Sequence, residues 1–251
     1  MSKTVFITGA TSGFGRECAL LFAKNGHKVI ATGRRLDKLE SLKHELKDFD
    51  ICTAVFDVSN KEAVFAAVAK LPSDYKNIDI LINSAGLALG LGNANDALIE
   101  DWNIMVDTNI KGLLYVTKAV LPVMVTRKSG YIFNLGSTAG NWPYEGGNVY
   151  GATKAFVQQF SRNLRTDLVG TNIRVSNIEP GAAKTEFSDV RFKGDKEKAA
   201  KVYEGIEPLV AEDIANLIYT LSMLPAHVNV NSLEVMPTCQ TWAGLKVTKE
   251  S

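Results

Sequence analysis

Tyr150 and Lys154 stand four residues apart at the start of a helical pattern, so their side chains share one helix face. A phenol beside a fixed ammonium is an acid-base device. Tyrosine, with an ordinary pKa of about 10, moves protons poorly near neutrality, whereas a cation at ~4 Å in an effective dielectric of ~20 contributes ~4 kcal/mol. The spacing therefore leads to the expectation that Lys154 lowers the Tyr150 pKa by up to about three units. An isolated pair of this kind is more often packing and surface charge, so the chemistry stands only if the rest of the chain builds a site around it.

The elements that must position the pair alternate strand and helix. Residues 5–8 read as a buried strand, and Gly9, Gly13 and Gly15 turn it into a helix whose Phe14, Cys18, Leu21 and Phe22 keep helical spacing. Glycines in such a turn let backbone approach a pyrophosphate held at the positive end of the helix. A second strand, 28–32, runs into Gly33, Arg34 and Arg35. A dinucleotide fold reads the adenosine ribose here, with a carboxylate for a free 2′-hydroxyl or an arginine for a 2′-phosphate. Two arginines and no carboxylate point to the phosphate. The third strand, 51–56, ends at Asp57 and Val58, on the edge where open parallel sheets bind ligands. Ser59 to Glu62 then read as a capping box.

The fourth strand, 79–83, leads into Ser84, Ala85 and Gly86, small enough to pass beneath a bound cofactor. A long helical region is expected over 102–128, with Asn109 in its first turns. Asparagine is locally unfavourable there, so it is either a tolerated polar residue or part of a network at an opened turn. The fifth strand, 130–135, precedes Ser137, read either as a turn residue or as a hydroxyl aimed at a substrate oxygen. After a sixth strand, 172–178, a polar segment over 182–208 has the length of a lid or binding loop, with a short helix near 196–203. A helix over 211–224, an edge strand within 228–235 and an irregular tail from 237, with Trp242 exposed or docked, complete the chain.

A chain of 251 residues, 46% hydrophobic, has enough apolar surface for one large core, and residues 1–251 read as a single α/β domain. Its net charge of +1 recommends neither nucleic acid nor an anionic membrane as partner. The N-terminus lacks the pattern of a signal peptide, and no apolar run approaches membrane-spanning length. Cys18, Cys52 and Cys239 are few and far apart, which suits a reducing cytoplasm rather than a disulfide framework. His27, His44 and His227 have no ligand-spaced partners, so no metal site is expected.

Taken in order, Thr8 and Gly9 with Gly13 and Gly15, Asp57, Asn83 to Gly86, Asn109, Ser137, Tyr150 with Lys154, then Pro180, Gly181 and Thr185 resemble the short-chain dehydrogenase/reductase family. The resemblance covers essentially the whole chain. It implies a Rossmann-type, doubly wound parallel sheet of about seven strands with helices on both faces, NADP(H) as cofactor, and usually a homotetramer. It further implies Tyr150 as catalytic acid or base, Lys154 as the residue that lowers its pKa and holds the nicotinamide ribose, Ser137 as the carbonyl-orienting donor, and Asn109 as the holder of a relay water. Cofactor contacts are implied for Thr8, Gly9, Ser12, Gly13, Phe14 and Gly15, for Arg34 and Arg35, and for Asp57 at adenine beside Val58. Asn83, Ala85 and Gly86 form the floor, Pro180 and Gly181 follow, and Thr185 meets the carboxamide. Where the family commonly carries two asparagines before Ala-Gly, this chain has Ser84 second.

Within the family, residues 13–15, 142–150, 185–194 and 224–229 resemble a bacterial subgroup that oxidises 3-hydroxy acids with NADP and has relatives reducing sulfoacetaldehyde. The implied substrate is a short anion. Its charge needs a buried partner, for which Arg191, in the lid segment, is the candidate, with Asn148 and the backbone of Gly146 and Gly147 completing the pocket and Trp142 or Tyr144 as an apolar wall. A 3-oxoacyl carrier-protein reductase, a general carbonyl reductase and a non-catalytic NADP-binding redox sensor are the alternatives.

Overall fold

The protein is described by a computed structural model over residues 2–242; the end of the tail, 243–251, lies outside the described residues. In chain order the elements are β1 (Thr4–Thr8), α1 (Gly13–Lys24), β2 (Lys28–Gly33), α2 (Leu36–Glu45), β3 (Ile51–Val55), α3 (Lys61–Ala69), β4 (Ile80–Asn83), α4 (Ile99–Val106), α5 (Leu113–Arg127), β5 (Gly130–Leu135), α6 (Asn148–Asp167), β6 (Ile173–Pro180), β7 (Ala183–Lys184), α7 (Phe187–Arg191), α8 (Lys196–Lys201), β8 (Leu209–Val210), α9 (Ala211–Met223) and β9 (Ser232–Val235). Seven of the strands make one parallel sheet in the order β3-β2-β1-β4-β5-β6-β9. This is the doubly wound arrangement expected from the alternation of strand and helix.

Both faces of the sheet are covered, and alternate residues supply them. Val5, Ile7, Val29, Ala31, Ile80 and Ile82 point to one side, against Cys18 and Phe22 of α1 and Ile214 and Ile218 of α9. Phe6, Ile30, Leu81 and Ile132 point to the other, against Val116, Val120 and Met124 of α5 and Leu164 of α6. Each such side chain taken fully from water contributes roughly 1.5–3 kcal/mol, which explains why the strands read as nearly unbroken apolar runs. Strand order reverses between β1 and β4, where Thr8 lies in register with Asn83. The carboxyl ends on either side of that reversal open the crevice in which such sheets hold ligands.

Two local expectations are corrected and two are refined. The cap of α3 is Asn60, whose side chain accepts from Ala63 N at 2.9 Å, while Ser59 donates its N–H and O–H to Asp57 Oδ1 instead. Helix α3 begins at Lys61, which puts Asn60 and not Ser59 at the cap position. The helix expected over 102–128 is split, because Asp107–Gly112 form a π-helical turn between α4 and α5. The wider turn rotates Asn109 inward, as π-turns at functional sites do. The segment 182–208 carries the expected short helix as α8 and, beyond it, α7 and β7, with β7 pairing β8. The expected edge strand is present as Ser232–Val235, paired parallel to β6.

Because Asn60 alone supplies the side-chain cap of α3, Asn60→Ala is expected to cost about 1 kcal/mol. Urea unfolding of the purified variant checks this, with a lower midpoint and an unchanged slope as the expected outcome.

Candidate active site

A cavity of ≈ 600 Å³ opens along the carboxyl edge of the sheet, lined by the glycine turn, the end of β2, the start of α6 and the α7 segment. The glycine turn is built for close approach. Gly9 and Gly13 have φ of +69° and +50°, a region costly for other residues, and a Cβ on Gly15 would lie 2.4 Å from the Gly9 carbonyl oxygen. Helix α1 begins there with its N-cap Ser12 making no side-chain cap bond, so the first-turn N–H groups face the cavity wall without a side-chain acceptor. An uncapped twelve-residue helix over a glycine turn is a ready anion site.

At the other end of this half, Arg34 and Arg35 both line the cavity. Arg34 pairs with Asp57 at 3.2 Å, and Arg35 holds Thr11 and Glu186. Burial would raise the Asp57 pKa, but the hydrogen bonds from Ser59 and the charge and hydrogen bond of Arg34 outweigh it and keep the carboxyl below its usual range. The donors, the open helix end and the two guanidinium groups fit a dinucleotide with an extra phosphate.

Not every expected contact residue reaches the cavity. Ser12, Gly13, Phe14, Val58, Ala85, Gly86, Pro180, Gly181 and Thr185 line it, whereas Gly15, packed on the Gly9 carbonyl, and the side chains of Thr8 and Asn83 support it from behind. Thr8 Oγ1 accepts from Ala85 N at 3.0 Å, tying β1 to the turn after β4. Asn83 is buried and donates to Thr117 Oγ1 and Asn134 Oδ1, so its role is to hold β4 against β5 and α5. Ser84, the departure from the family pattern, does line the cavity.

Tyr150 and Lys154 sit on the first turns of α6, and both residues line the cavity as their spacing requires. The Ser137 hydroxyl donates to Pro180 O at 3.4 Å and accepts from Ala139 N at 3.1 Å, which fixes it at the end of β5, near enough to the Tyr150 phenol to pull its pKa down against burial. Of the two roles left open for Ser137, the turn role is visible, since its side chain caps a short turn, and the residue also lines the cavity beside Tyr150. Lys154 is buried, donates to Leu135 O at 2.7 Å and stands 5.7 Å from the centre of the Tyr150 ring.

The expected direction of the tyrosine shift is corrected. Burial raises the Tyr150 pKa, and the groups opposing this are the Ser137 hydrogen bond and the Arg191 charge, not Lys154. The lysine is itself so desolvated that its pKa falls to about 8. Its charge is directed to the Leu135 carbonyl rather than to the phenol oxygen. Asn109 does not line the cavity either. Its amide accepts from Leu87 N and donates to Leu87 O and Thr153 Oγ1, all within 3.0 Å, joining the π-turn to the cavity floor and to α6. A Cβ on Gly86 would lie 3.3 Å from Asn109 Oδ1 and 3.4 Å from Lys154 Nζ, so a larger residue here would press on both side chains.

On the substrate side, Arg191 enters the cavity from α7. Its Nε donates to Gly90 O at 3.1 Å, its Nη2 to the Tyr144 hydroxyl, and its guanidinium lies 5.6 Å from the Tyr150 ring centre. No carboxylate pairs with it among the described residues, although Asp189 and Asp195 are close in sequence. Lys193 with Asp101 at 2.8 Å, and Gly90 N donating to Arg191 O, tie this segment across to the opposite wall. Trp142 and Tyr144 line the cavity as expected, but Asn148 turns away to donate to Gly92 O, and Gly146 and Gly147 also lie outside the lining. A Cβ on Gly146 would meet Leu91 O at 2.3 Å: this stretch packs on the 90–92 loop, which is why it is unavailable to a ligand. Sequence reasoning missed the wall formed by Met236, Gln240, Thr241 and Trp242; its only signal was a tryptophan in a polar tail. Among the described residues no group of three His, Cys, Asp or Glu side chains is placed to hold a metal, and no helix is long and apolar enough to cross a membrane.

The Lys154 shift has a stability consequence. Below pH 8 the ammonium is retained in both states and the fold bears its desolvation. Between about 8 and the ordinary value of 10.5 the folded state releases the proton and the unfolded chain keeps it, so this group adds stability as pH rises through that window. Lys154→Met, which removes the charge but also the Leu135 bond, is expected to stabilise the fold by about 1–3 kcal/mol at pH 7 while abolishing activity. Chemical unfolding between pH 7 and 10 checks it; the gain over the unsubstituted protein should shrink as pH rises past 8.

Residues 3–196 match the family described as short chain dehydrogenase. The chain is 58% identical over 244 residues to the NADP-dependent 3-hydroxy acid dehydrogenase of Salmonella typhi, covering 97% of this chain and 98% of that protein. It is 51% identical to serine 3-dehydrogenase of Rhizobium radiobacter over 251 residues, the full length of both. A solved structure of the closed form of serine dehydrogenase complexed with NADP+ superposes with a TM-score of 0.96 at 57% identity, covering 98% of this chain and 99% of that one. With its crevice at the β1–β4 reversal and Ser137, Tyr150 and Lys154 on one cavity wall, the chain belongs to the short chain dehydrogenase family.

Proposed function

We propose that the protein is an NADP(H)-dependent dehydrogenase that interconverts a short anionic 3-hydroxy acid, of the serine or 3-hydroxypropionate type, with its carbonyl counterpart. The observation that carries this reading is the convergence of Ser137, Tyr150 and an acid-free Arg191 on one cavity. Its relatives, named as NADP-dependent 3-hydroxy acid dehydrogenase and serine 3-dehydrogenase, support the substrate class. Arg34 and Arg35, where a cofactor without the 2′-phosphate would meet a carboxylate, support NADP(H) over NAD(H).

When bound, NADP(H) supplies the hydride acceptor or donor. In the oxidising direction Ser137 holds the substrate hydroxyl, Tyr150 Oη takes its proton, and the Arg191 guanidinium faces the substrate anion. The reducing direction reverses these steps, with Tyr150 giving its proton to the carbonyl oxygen. Burial, which holds the phenol protonated, favours it as the acid; the approach of positive charge is what makes it a base. Lys154 serves through its ammonium at the ribose side of the cavity, and Asn109 is a positioning residue that fixes the floor. Sulfonates share the anion chemistry, so sulfoacetaldehyde belongs in the same substrate panel. A homotetramer is part of the proposal, supported by the exposed Leu98, Ile99 and Ile104 around α4. Cytoplasmic residence accords with three free cysteines.

The test is turnover of 3-hydroxy acids by the purified protein with NADP+ and NAD+ in parallel. Higher catalytic efficiency with NADP+, and a loss of at least about a hundredfold in Tyr150→Phe with the fold retained, are expected. Equal efficiency with both cofactors would contradict the arginine reading, and a fully active Tyr150→Phe would contradict the proton role.

Arg191 is tested separately. Losing one charge-assisted contact of about 1.5–3 kcal/mol, Arg191→Ala is expected to raise KM for anionic substrates by about 10- to 100-fold. A neutral aldehyde of similar size should be nearly unaffected. Loss on both substrate types alike assigns the residue to lid structure instead.

A further inference from the structure

Glu179 on β6 and Glu234 on β9 lie in register on neighbouring parallel strands, an arrangement in which like charges repel. Neither carboxylate meets a lysine or arginine among the described residues. They are held instead by amide and indole donors. Glu179 Oε1 accepts from Asn177 Nδ2 at 2.6 Å and Gln158 Nε2 at 2.8 Å, and Asn141 Nδ2 bridges Glu179 Oε2 and Glu234 Oε2 at 3.2 and 3.0 Å. The remaining Glu234 contacts go to two tryptophans from distant parts of the chain. Trp142 Nε1 donates to Oε2 at 3.0 Å and Trp242 Nε1 donates to Oε1 at 2.8 Å. Their ring centres lie 6.0 Å apart, and both indoles line the cavity that holds Tyr150.

An in-register carboxylate pair without a cation costs stability, so its geometry is informative. One carboxylate with its two oxygens on two indole N–H groups fixes both rings in place. Trp142 and Trp242 are 41% and 57% exposed and sit on loop and tail rather than inside an element, so packing alone does not hold them. With both N–H groups pinned, the rings cannot swing away from the cavity to admit a longer substrate.

We propose that Glu234 is a positioning residue that sets substrate length, by clamping Trp142 and Trp242 as a fixed wall of the substrate cavity. The inference rests on the short-substrate dehydrogenase reading above. The clamp excludes chains longer than the three- or four-carbon acids, because each added methylene must displace an anchored indole instead of a free one.

The test compares kcat/KM with NADP+ for 3-hydroxypropionate, 3-hydroxybutyrate and 3-hydroxyhexanoate in the unsubstituted enzyme, Glu234→Gln and Trp242→Phe. Glutamine offers one acceptor and faces the other indole with an N–H; phenylalanine keeps a ring without the donor. The unsubstituted enzyme should prefer the shortest over the longest acid by at least about tenfold. Both variants should reduce that preference by about fivefold or more. Glu234→Gln should keep kcat for 3-hydroxypropionate within about threefold, since it touches no reacting group. A merely structural role would lower all three substrates alike and leave the ratio unmoved, which overturns the proposal. Acrylamide quenching of tryptophan fluorescence in a Trp102→Phe background gives a reading independent of turnover. Glu234→Gln should increase quenching, and unchanged quenching overturns the clamp. If the unsubstituted enzyme turns over no acid in the series, the functional reading falls and length selection falls with it, while the quenching result still decides whether the clamp exists.

Discussion

The desolvation of Tyr150 and Lys154 on a single turn of α6 is the constraint on which the rest of the structure depends. Two titratable groups withdrawn from water are shifted in opposite senses, the phenol held protonated and the ammonium brought down to about 8. The lysine shift opposes folding at neutral pH, whereas the phenol is neutral in both states there and costs nothing; both side chains are held by a rigid surround: the Leu135 carbonyl, the Ser137 hydroxyl and the close-passing Gly86 floor. The π-turn at Asp107–Gly112 belongs to the same surround, since it aims Asn109 at Leu87 and Thr153. A regular helix there would turn the amide elsewhere and free the floor.

The sheet makes this affordable. Two dry faces of alternating side chains hold β1, β4, β5 and β6 in register, so their carboxyl ends present Gly9, Asn83, Ser137 and Pro180 in a row beside the start of α6. Residues at strand ends inherit the rigidity of the sheet, which loops alone cannot supply. Chemistry with sub-ångström tolerance therefore gathers on this edge.

Opposite that rigid edge the cavity is closed by parts with little core of their own. Helix α7 is anchored through Arg191 to Gly90 and through Lys193 to Asp101, and the tail through Gln240 to Ala182 N and Trp242 to Glu234. Polar anchors of this kind fix direction while adding little to stability, which suits walls that must admit and release a ligand. Arg35 with Glu186 links the same segment to the nucleotide half of the cavity.

What was legible in the sequence was local. The strand and helix periods, the glycine turn, the paired arginines after β2 and the shared face of Tyr150 and Lys154 all depend on residues a few positions apart, whose relative placement the backbone period settles on its own. Partners separated by tens of residues were not legible. That Lys154 turns to Leu135 O, that Asn148 serves the 92 loop and not the cavity, and that the tail from Met236 to Trp242 closes the cavity are outcomes of packing. They follow from which donors and acceptors are left unpaired once the sheet has formed, and that competition exists only in three dimensions.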